Sequence, residues 1–589
     1  PEKMAICKGK KTEEVIPYRE AKQGKKRILT VGRGKDAEER TLAKGTLYLE
    51  NDKRERKATG SYYTPEHIVS YIVENTIGPV LEERLSAVKP HLREAEKTLR
   101  REREKTAALA GKYGKGDDPE HEAYLKSRAV VDEVFSVRVL DPAMGSGHFL
   151  VEAVDFLTDR ILDFLNGFRW NPIVHHLRET RETILDDLQR QGVTIASDKL
   201  TDVHLLKRHV LKRCIYGVDL NPMAVELAKV SLWLDSFTLG APLSFLDHHL
   251  KCGNSLIGVA IDDAEQARKG QMDLLGGARF AGMKQAVAGM LHIGELSDVT
   301  SAQVHESRRE FMGATNALAP VRRLLDVYTS QWFGNEEKLL KKGAHNPAEE
   351  FLRDGMSETW SRAPGTVRLP ERWKAATVRA AQAATERRFF HWELEFPEVF
   401  FRLAPGTVQK VERNPQGGFD AVIGNPPWIR QESLQAEKKF LGARFASVFD
   451  SVADIYVFML ARGLSVLAPQ RRLGMLVPNK WFRAEYGAPL RRTLVGATQP
   501  VAIVDFGHAP LFPDADTFPC ILIVQKAGRD DLREVVVCSV SREALSGLDL
   551  PEYVERASHP VRVSRLRSQG WDLEREEIAQ LLEKIRNSG

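Results

Sequence analysis

Gly424-Asn425-Pro426-Pro427-Trp428 is the stretch whose residue types could do chemistry on a nucleobase. It follows an apolar run, Phe419-Asp420-Ala421-Val422-Ile423, that reads as a buried strand of a parallel sheet. An amide side chain, two prolines and a large aromatic therefore arrive at the strand's carboxyl end, the edge where open α/β sheets bind ligands. The exocyclic amino group of a base is a poor nucleophile, because its lone pair is delocalised into the ring. The Asn425 oxygen, together with a main-chain carbonyl held by Pro426 and Pro427, can accept both of its N–H bonds. That draws the nitrogen toward a tetrahedral geometry and frees the lone pair for attack. The fixed φ of proline removes local freedom in advance, and the face of Trp428 can stack on the base. Taken alone, the same residues also describe a Pro-Pro turn capping a strand, with Trp428 in the core.

Three further turns have chemical content. An earlier strand-like run ends in Asp141-Pro142-Ala143-Met144-Gly145-Ser146-Gly147-His148-Phe149. A strand, a Gly-x-Gly turn and a helix bring main-chain N–H groups close to a ligand, although any α/β protein has tight turns of this kind. The next strand, residues 215–218, ends in Asp219. An acidic residue there suits a ribose diol, or it N-caps the helix that begins at Pro222. After a third strand-like stretch, Cys252-Gly253-Asn254-Ser255-Leu256 places a polar amide in the corresponding loop.

The elements that must position these residues follow from periodicity. A helix is predicted from Thr64, with Pro65 at its first position, Glu66 in its first turn, and Ile68, Val69, Ile72, Val73 and Ile77 on one face. A separate charged helix is expected over residues 92–109, and a loop over 114–118. Strand, helix, strand and helix between residues 137 and 235 give a doubly wound parallel sheet. Residues 262–386, rich in Ala, Arg and Gln, read as a helical insertion. The sheet resumes near Val422 and again at residues 473–477, 501–504 and 521–524. Before residue 58 the chain is basic and polar, its main pattern being Thr46-Leu47-Tyr48-Leu49. After about residue 530 come Val535-Val536-Val537 and a charged helix over 573–586.

Composition narrows the class. The length of 589 residues suggests roughly three to four domains, and 42% hydrophobic with 28% charged residues is ordinary for a globular protein. Five scattered cysteines without a Cys-x-x-Cys pair argue against a zinc ribbon or a disulfide framework and fit a reducing cytoplasm. There is no apolar run long enough to span a membrane, and no signal segment opens the chain. A net charge of +5 permits nucleic-acid binding, with Lys480, Arg483, Arg491 and Arg492 as candidates to face phosphates. His175-His176 and His248-His249 read as structural pairs, so no metal is expected. Because the chain opens at Pro1 and stops in a helical pattern, it reads as a piece of something longer.

The order of these motifs resembles that of the adenine-N6 DNA methyltransferases. Gly60-Ser61-Tyr62-Tyr63-Thr64-Pro65-Glu66, ahead of the Gly-rich loop, is similar to the motif of their gamma arrangement. The resemblance runs from about Arg54 to Val524 and is nearest to the methylase part of type IIG restriction–modification enzymes and to the BREX methylase PglX. Phe390-His391-Trp392-Glu393-Leu394-Glu395-Phe396-Pro397-Glu398-Val399-Phe400 is similar to a segment of those long enzymes.

The resemblance implies a Rossmann-like S-adenosyl-L-methionine-dependent methyltransferase sheet. It also implies roles: Thr64 at the methionine end of the cofactor, Asp141, Ala143, Gly145 and Gly147 along methionine and ribose, and Asp219 on the ribose hydroxyls. Asn254 stands where the family usually has Asp accepting from the cofactor's adenine amino group, a bond an amide oxygen can also accept. Asn425 and the Pro426 carbonyl would grip the target amino group, with Pro427 holding the turn. Trp428 would stack on the flipped base, and Phe512 of Leu511-Phe512-Pro513-Asp514 would cover its other face. The implied division is a basic arm (1–57), a cofactor half (58–261), the helical insertion (262–386), a catalytic half (387–530), and a linker toward a target-recognition domain (531–589).

The expected partners are double-stranded DNA and other restriction or phage-defence subunits, in the bacterial or archaeal cytoplasm near the nucleoid. Two other readings stay open. One is a cofactor- and DNA-binding subunit that is silent without partners. The other is an amino-group methyltransferase acting on RNA or protein, since Asn-Pro-Pro-aromatic occurs there too. A nuclease domain would not fit in the 57 residues before the core.

Overall fold

Alternating strands and helices build the doubly wound sheet that the pattern predicts, and that sheet is wider than the pattern suggests. The computed structural model describes residues 4–8, 13–17, 30–31, 38–39 and 41–42, then 64–588 except 114–117, 194–199, 268–277, 336–350, 353–355, 405–409, 508–510, 513–517, 529, 531 and 546. Pro1–Tyr62 is a unit of its own. In it Met4–Lys8 pairs antiparallel with Glu13–Pro17 and with Thr41–Leu42, and Thr30–Val31 pairs with Glu38–Glu39. Thr46-Leu47-Tyr48-Leu49 and Gly60-Ser61-Tyr62-Tyr63 lie outside the described residues.

The second unit is built on a nine-stranded sheet. Its strands are β1 (Val139–Asp141), β2 (Ile215–Asp219), β3 (Leu250–Cys252), β4 (Phe419–Gly424), β5 (Leu467–Pro478), β6 (Gln499–Asp505), β7 (Pro519–Gln525), β8 (Glu534–Ser539) and β9 (His559–Arg562). Across the sheet they lie in the order β3-β2-β1-β4-β5-β7-β6-β8-β9. β3, β2, β1, β4 and β5 are parallel, and β7 runs against both β5 and β6. From β1 the strands progress toward one edge, and from β4 they progress toward the other. The β1/β4 boundary is therefore the topological switch point, where such a sheet opens its ligand crevice. β8 and β9 come from the segment expected as a linker; they extend the sheet instead, β8 parallel to β6 and β9 antiparallel to β8.

Every residue of β4 is buried, as its apolar run predicts. Asp420 is tolerated there because its carboxylate lies 3.0 Å from Arg471 Nε and accepts the Arg138 N–H at 3.0 Å. Helix α1 (Glu66–Tyr113) runs unbroken for 48 residues through Pro79 and Pro90, where two helices were expected. Each interior proline costs about 3 kcal/mol of helix. The offsetting term is the stripe Ile68, Val69, Ile72, Val73 and Ile77, all fully buried, on a helix that packs against β4 and β5. Its charged half is laced by Lys97–Glu94, Arg101–Glu94 and Arg100–Glu104 pairs, as the sequence pattern predicts.

The remaining helices used below are α2 (Pro119–Ser127), α3 (His148–Leu165), α4 (Pro172–Arg190), α5 (Asp202–Cys214), α6 (Pro222–Asp235), α7 (Ala278–Glu295), α8 (Ser301–Ser330), α9 (Glu371–Arg387) and α10 (Ala488–Ala497). Among the described residues of 262–386 there is no strand; α7 packs on α8, and α8 on α9. A buried ion pair ties this layer to α5: Lys212 Nζ lies 2.7 Å from Asp298 Oδ1, with side chains 2% and 0% exposed. Ser307 Oγ donates to the same carboxylate at 2.7 Å, which supplies the extra hydrogen bond a buried pair needs. No described helix is long and apolar enough to cross a membrane.

Candidate active site

The carboxyl ends of β1 and β4 meet through Asp141 and Gly424. Gly424 has φ +146°, and a Cβ there would stand 2.7 Å from Asp141 Oδ1. Only glycine lets β4 end this way, and the next residues, Asn425 to Trp428, start from that contact. Asn425 Nδ2 donates to Thr64 Oγ1 at 3.1 Å, and Thr64 is itself buried just ahead of α1. With Nδ2 engaged, Asn425 Oδ1 is buried and has no hydrogen-bond partner. An orphaned buried acceptor costs about 1–3 kcal/mol, so this is an oxygen held in wait for a donor. Pro426 behind it is buried, while Asn425, Pro427 and Trp428 are half-buried.

Two carboxylates face the same turn. Asp141 Oδ1 accepts from Ala143 N at 2.9 Å, while Asp219 accepts from Gly145 N at 2.9 Å and from Asn221 N at 2.7 Å. The N-cap of α6 is Asn221, whose side chain accepts from Met223 N; Asp219 instead bridges the end of β2 to the Gly-rich loop. Burial pushes the Asp141 carboxyl up to about 8, a shift opposed by the Ala143 N–H and reinforced by the charge of Asp219. Burial also raises Asp219 above the usual carboxylate range, against the N–H groups of Asn221 and Gly145. Gly145 and Gly147 stand at φ +53° and +85°, and a Cβ on Gly147 would lie 3.1 Å from Ala228 Cβ of α6. Carboxylates at the β1 and β2 tips beside such a loop can hold a cationic, ribose-bearing cofactor.

Asn254, past β3, uses one lone pair of Oδ1 on Leu256 N at 3.1 Å, which leaves the second for a ligand. Its own N–H reaches Arg388 O at 2.8 Å. Arg388 itself was missed by the sequence reading. Sitting at φ +51° after α9, it donates from Nη1 to Leu220 O at 3.0 Å and lies 2.8 Å from Cys252 Sγ, across the tips of β2 and β3. An arginine in a Glu-Arg-Arg run carries no pattern that marks this position.

Trp428 and Phe512 are brought together, but edge to face: their ring centroids are 5.2 Å apart at 79°. That is a preferred contact of two rings and does not present the parallel faces of a base clamp. Pro513 and Asp514 lie outside the described residues.

Of the four basic candidates, Lys480, Arg483 and Arg492 are exposed. Arg491 is not a surface residue: it is 1% exposed and donates to the carbonyls of Trp481, Ala484, Ser568 and Gln569. A guanidinium with five donors meets its hydrogen bonds there inside the fold, so it cannot face a phosphate. His248 and His249 stack in the core with centroids 4.0 Å apart, and burial pushes both well below the usual imidazole range.

A family model described as Eco57I restriction-modification methylase matches residues 213–512, half of the chain. A protein of Methanocaldococcus jannaschii, named as a type II restriction enzyme and methyltransferase, is 25% identical over 494 residues, 80% of this chain and 36% of the relative. The type II methyltransferase M.XhoI of Xanthomonas vasicola is 36% identical over 110 residues, 18% of this chain and 20% of the relative. The chain thus spans little more than a third of the first relative's length and a fifth of the second's. Among solved structures, the type IIL restriction-modification enzyme MmeI in complex with DNA covers 87% of this chain and 41% of its own, at 10% identity and a TM-score of 0.34. A likeness that distant has no bearing on the site.

Proposed function

We propose, given that the chain belongs to the Eco57I restriction-modification methylase family, that it methylates the N6 amino group of an adenine flipped out of double-stranded DNA. When bound, S-adenosyl-L-methionine supplies the methyl group on a sulfonium. Asp141, Ala143, Gly145 and Gly147 would hold its methionine and ribose, Asp219 the ribose hydroxyls, Asn254 the adenine amino group, and Thr64 the methionine end. A buried carboxylate and a half-buried one beside a glycine turn are a donor set that fits a cationic, diol-bearing group.

The observation that carries the reading is the buried, unpartnered Oδ1 of Asn425, whose amide is turned by Thr64. That oxygen and the Pro426 carbonyl accept the two hydrogens of the target amino group and bring its lone pair out of the ring. Extruding the base costs a few kcal/mol. Stacking on Trp428, worth roughly 1–3 kcal/mol, offsets much of it, and Phe512 would add a second face once its ring turns parallel. The protein's main contribution is orientation, which is worth many kcal/mol in a displacement of this kind. The arm, the two core halves, the insertion and the C-terminal segment are proposed as functional divisions of this machine, in a restriction or phage-defence system.

The test is methylation of duplex DNA by the chain, followed by nucleoside digestion. N6-methyladenine is the expected product, and Asn425→Ala should bind the cofactor yet lose transfer by about 10²–10³-fold or more, the scale for one removed acceptor or donor at a reacting centre. Undiminished methylation by that variant, or label found in protein or RNA instead of DNA, overturns the assignment. No transfer to DNA without added subunits, but cofactor binding intact, would favour the silent-subunit reading.

A further inference from the structure

We propose that His121, His175 and Glu179 form a binding site for one divalent transition-metal ion of the zinc class, which pins α2 to α4. One ligand atom from each of the three lies within 4.8 Å of the others. His121 Nδ1 is 2.9 Å and His175 Nε2 3.5 Å from Glu179 Oε1. Ligand atoms around one tetrahedral zinc are separated by about 3.3 Å, from metal–nitrogen and metal–oxygen bonds of about 2.0–2.2 Å. The two separations from Glu179 therefore already bracket ligand spacing, and the third is within 4.8 Å.

The second observation is independent of spacing. His175 is 6% exposed, yet neither of its ring nitrogens has a hydrogen-bond partner. Buried polar groups are nearly always paired, and an exception calls for an ion or other partner. The ring is walled by Tyr124, with centroids 4.9 Å apart, and by Trp170 at 6.3 Å. Its Nε2 faces Glu179 at 3.5 Å, and the side chains of Glu179 and His121 are 34% and 49% exposed. That gradient, from a buried ligand to a half-exposed one, gives an ion a path in and leaves a water for its remaining position.

Alternatively, the cluster is an exposed His121–Glu179 hydrogen bond beside a core histidine. That reading accounts for two of the residues and leaves buried His175 Nε2, 3.5 Å from Glu179 Oε1, without a hydrogen bond. Two imidazoles with one carboxylate select zinc, cobalt, nickel or copper over magnesium and calcium. His175 and Glu179 sit one turn apart on α4, so a single helix presents both, and α2 contributes the third. In the sequence His175-His176 reads as a structural pair, with no metal expected; His176 does turn away, to meet Tyr124 Oη at 2.9 Å. Nothing in this inference rests on the methylation reading.

The test uses the full 589-residue chain made without a histidine tag and stripped with a chelator. Cobalt(II) added alone should give visible d–d absorption that saturates at one ion per chain, zinc should bleach it, and magnesium should not. His121→Ala and Glu179→Gln, at exposed and half-exposed positions, should fold as the parent does by circular dichroism. Each should weaken the metal by roughly tenfold or more, the least expected when a site loses a contributing group. Absence of the cobalt signal overturns the proposal, as does a signal that both variants leave unchanged.

Discussion

Asn425 and Thr64, 361 positions apart in sequence, share one hydrogen bond of 3.1 Å, and that bond decides which end of the amide faces the crevice. Were the amide turned over, Nδ2 would point at an incoming amino group and repel it. Thr64→Val keeps the shape of the side chain and removes the acceptor. A net hydrogen bond is worth about 0.5–1.5 kcal/mol, so the expected result is a fall in kcat of roughly two- to tenfold, with DNA affinity unchanged. A normal kcat in Thr64→Val, from steady-state methylation assays, would mean the amide is oriented by something else.

The Asp141 carboxyl, raised to about 8, makes two statements about pH. Its folded value lies above its unfolded one of 3.8, so the folded chain holds an extra proton between those limits. This group's contribution to stability is therefore full below about pH 4 and is lost as pH rises toward 8. A cationic cofactor prefers the ionised carboxylate, so its affinity should rise from pH 6 to pH 8, by at most about tenfold per unit. Calorimetric titration at three pH values checks this; Asp141→Asn should bind weakly and flatten the profile. An equally steep profile in the variant would place the titrating group elsewhere.

Gly424→Ala adds a methyl group 2.7 Å from Asp141 Oδ1 at a backbone φ of +146°. Strain of that kind costs about 1–3 kcal/mol, and the clash with a buried carboxylate adds to it. The expected outcome is a lower urea midpoint together with weaker cofactor binding, since the residue that must move is Asp141. A midpoint equal to that of the parent would show that the strand end has slack it does not display.

Lys480, Arg483 and Arg492 are exposed on the second half of the unit, and Arg491 is not. If the first three meet phosphates, neutralising them together should lower the slope of log affinity against log salt by up to about three. Arg491→Met should instead destabilise the fold and leave that slope alone. Fluorescence anisotropy with random duplex at several salt concentrations separates the two outcomes, and sequence-specific nanomolar binding by these 589 residues would contradict the weak, non-specific mode expected of phosphate contacts alone.

What was legible in the sequence was whatever repeats locally. The apolar run before Asn425 could only be a buried strand, and the stripe from Ile68 to Ile77 could only be a helix face; both stand as read. The turns at the strand ends were legible because glycine and proline mark where β1 and β4 stop, although each turn taken alone also had an ordinary reading. Less local effects were hidden. Pro79 and Pro90 signalled breaks, but tertiary burial of α1 outweighs their cost. The hydrogen bond from Asn425 to Thr64 and the placement of Arg388 over Leu220 depend on chain crossings that no window of sequence contains. Arg491 looked like its exposed neighbour Arg492; only the fold tells one from the other.

The helical layer between β3 and β4 leaves and returns through adjoining rungs: Asn254 N to Arg388 O at 2.8 Å, Phe390 N to Ile257 O at 2.7 Å, and Val259 N to His391 Nδ1 at 3.2 Å. The excursion is thus knotted off at its neck like a drawstring bag. Doubling the contents of a loop so closed adds only about 0.6 kcal/mol of closure entropy. Length added at a turn of the excursion is therefore cheap at the neck, whereas its helices are held to the rest of the fold by the buried Lys212–Asp298 pair.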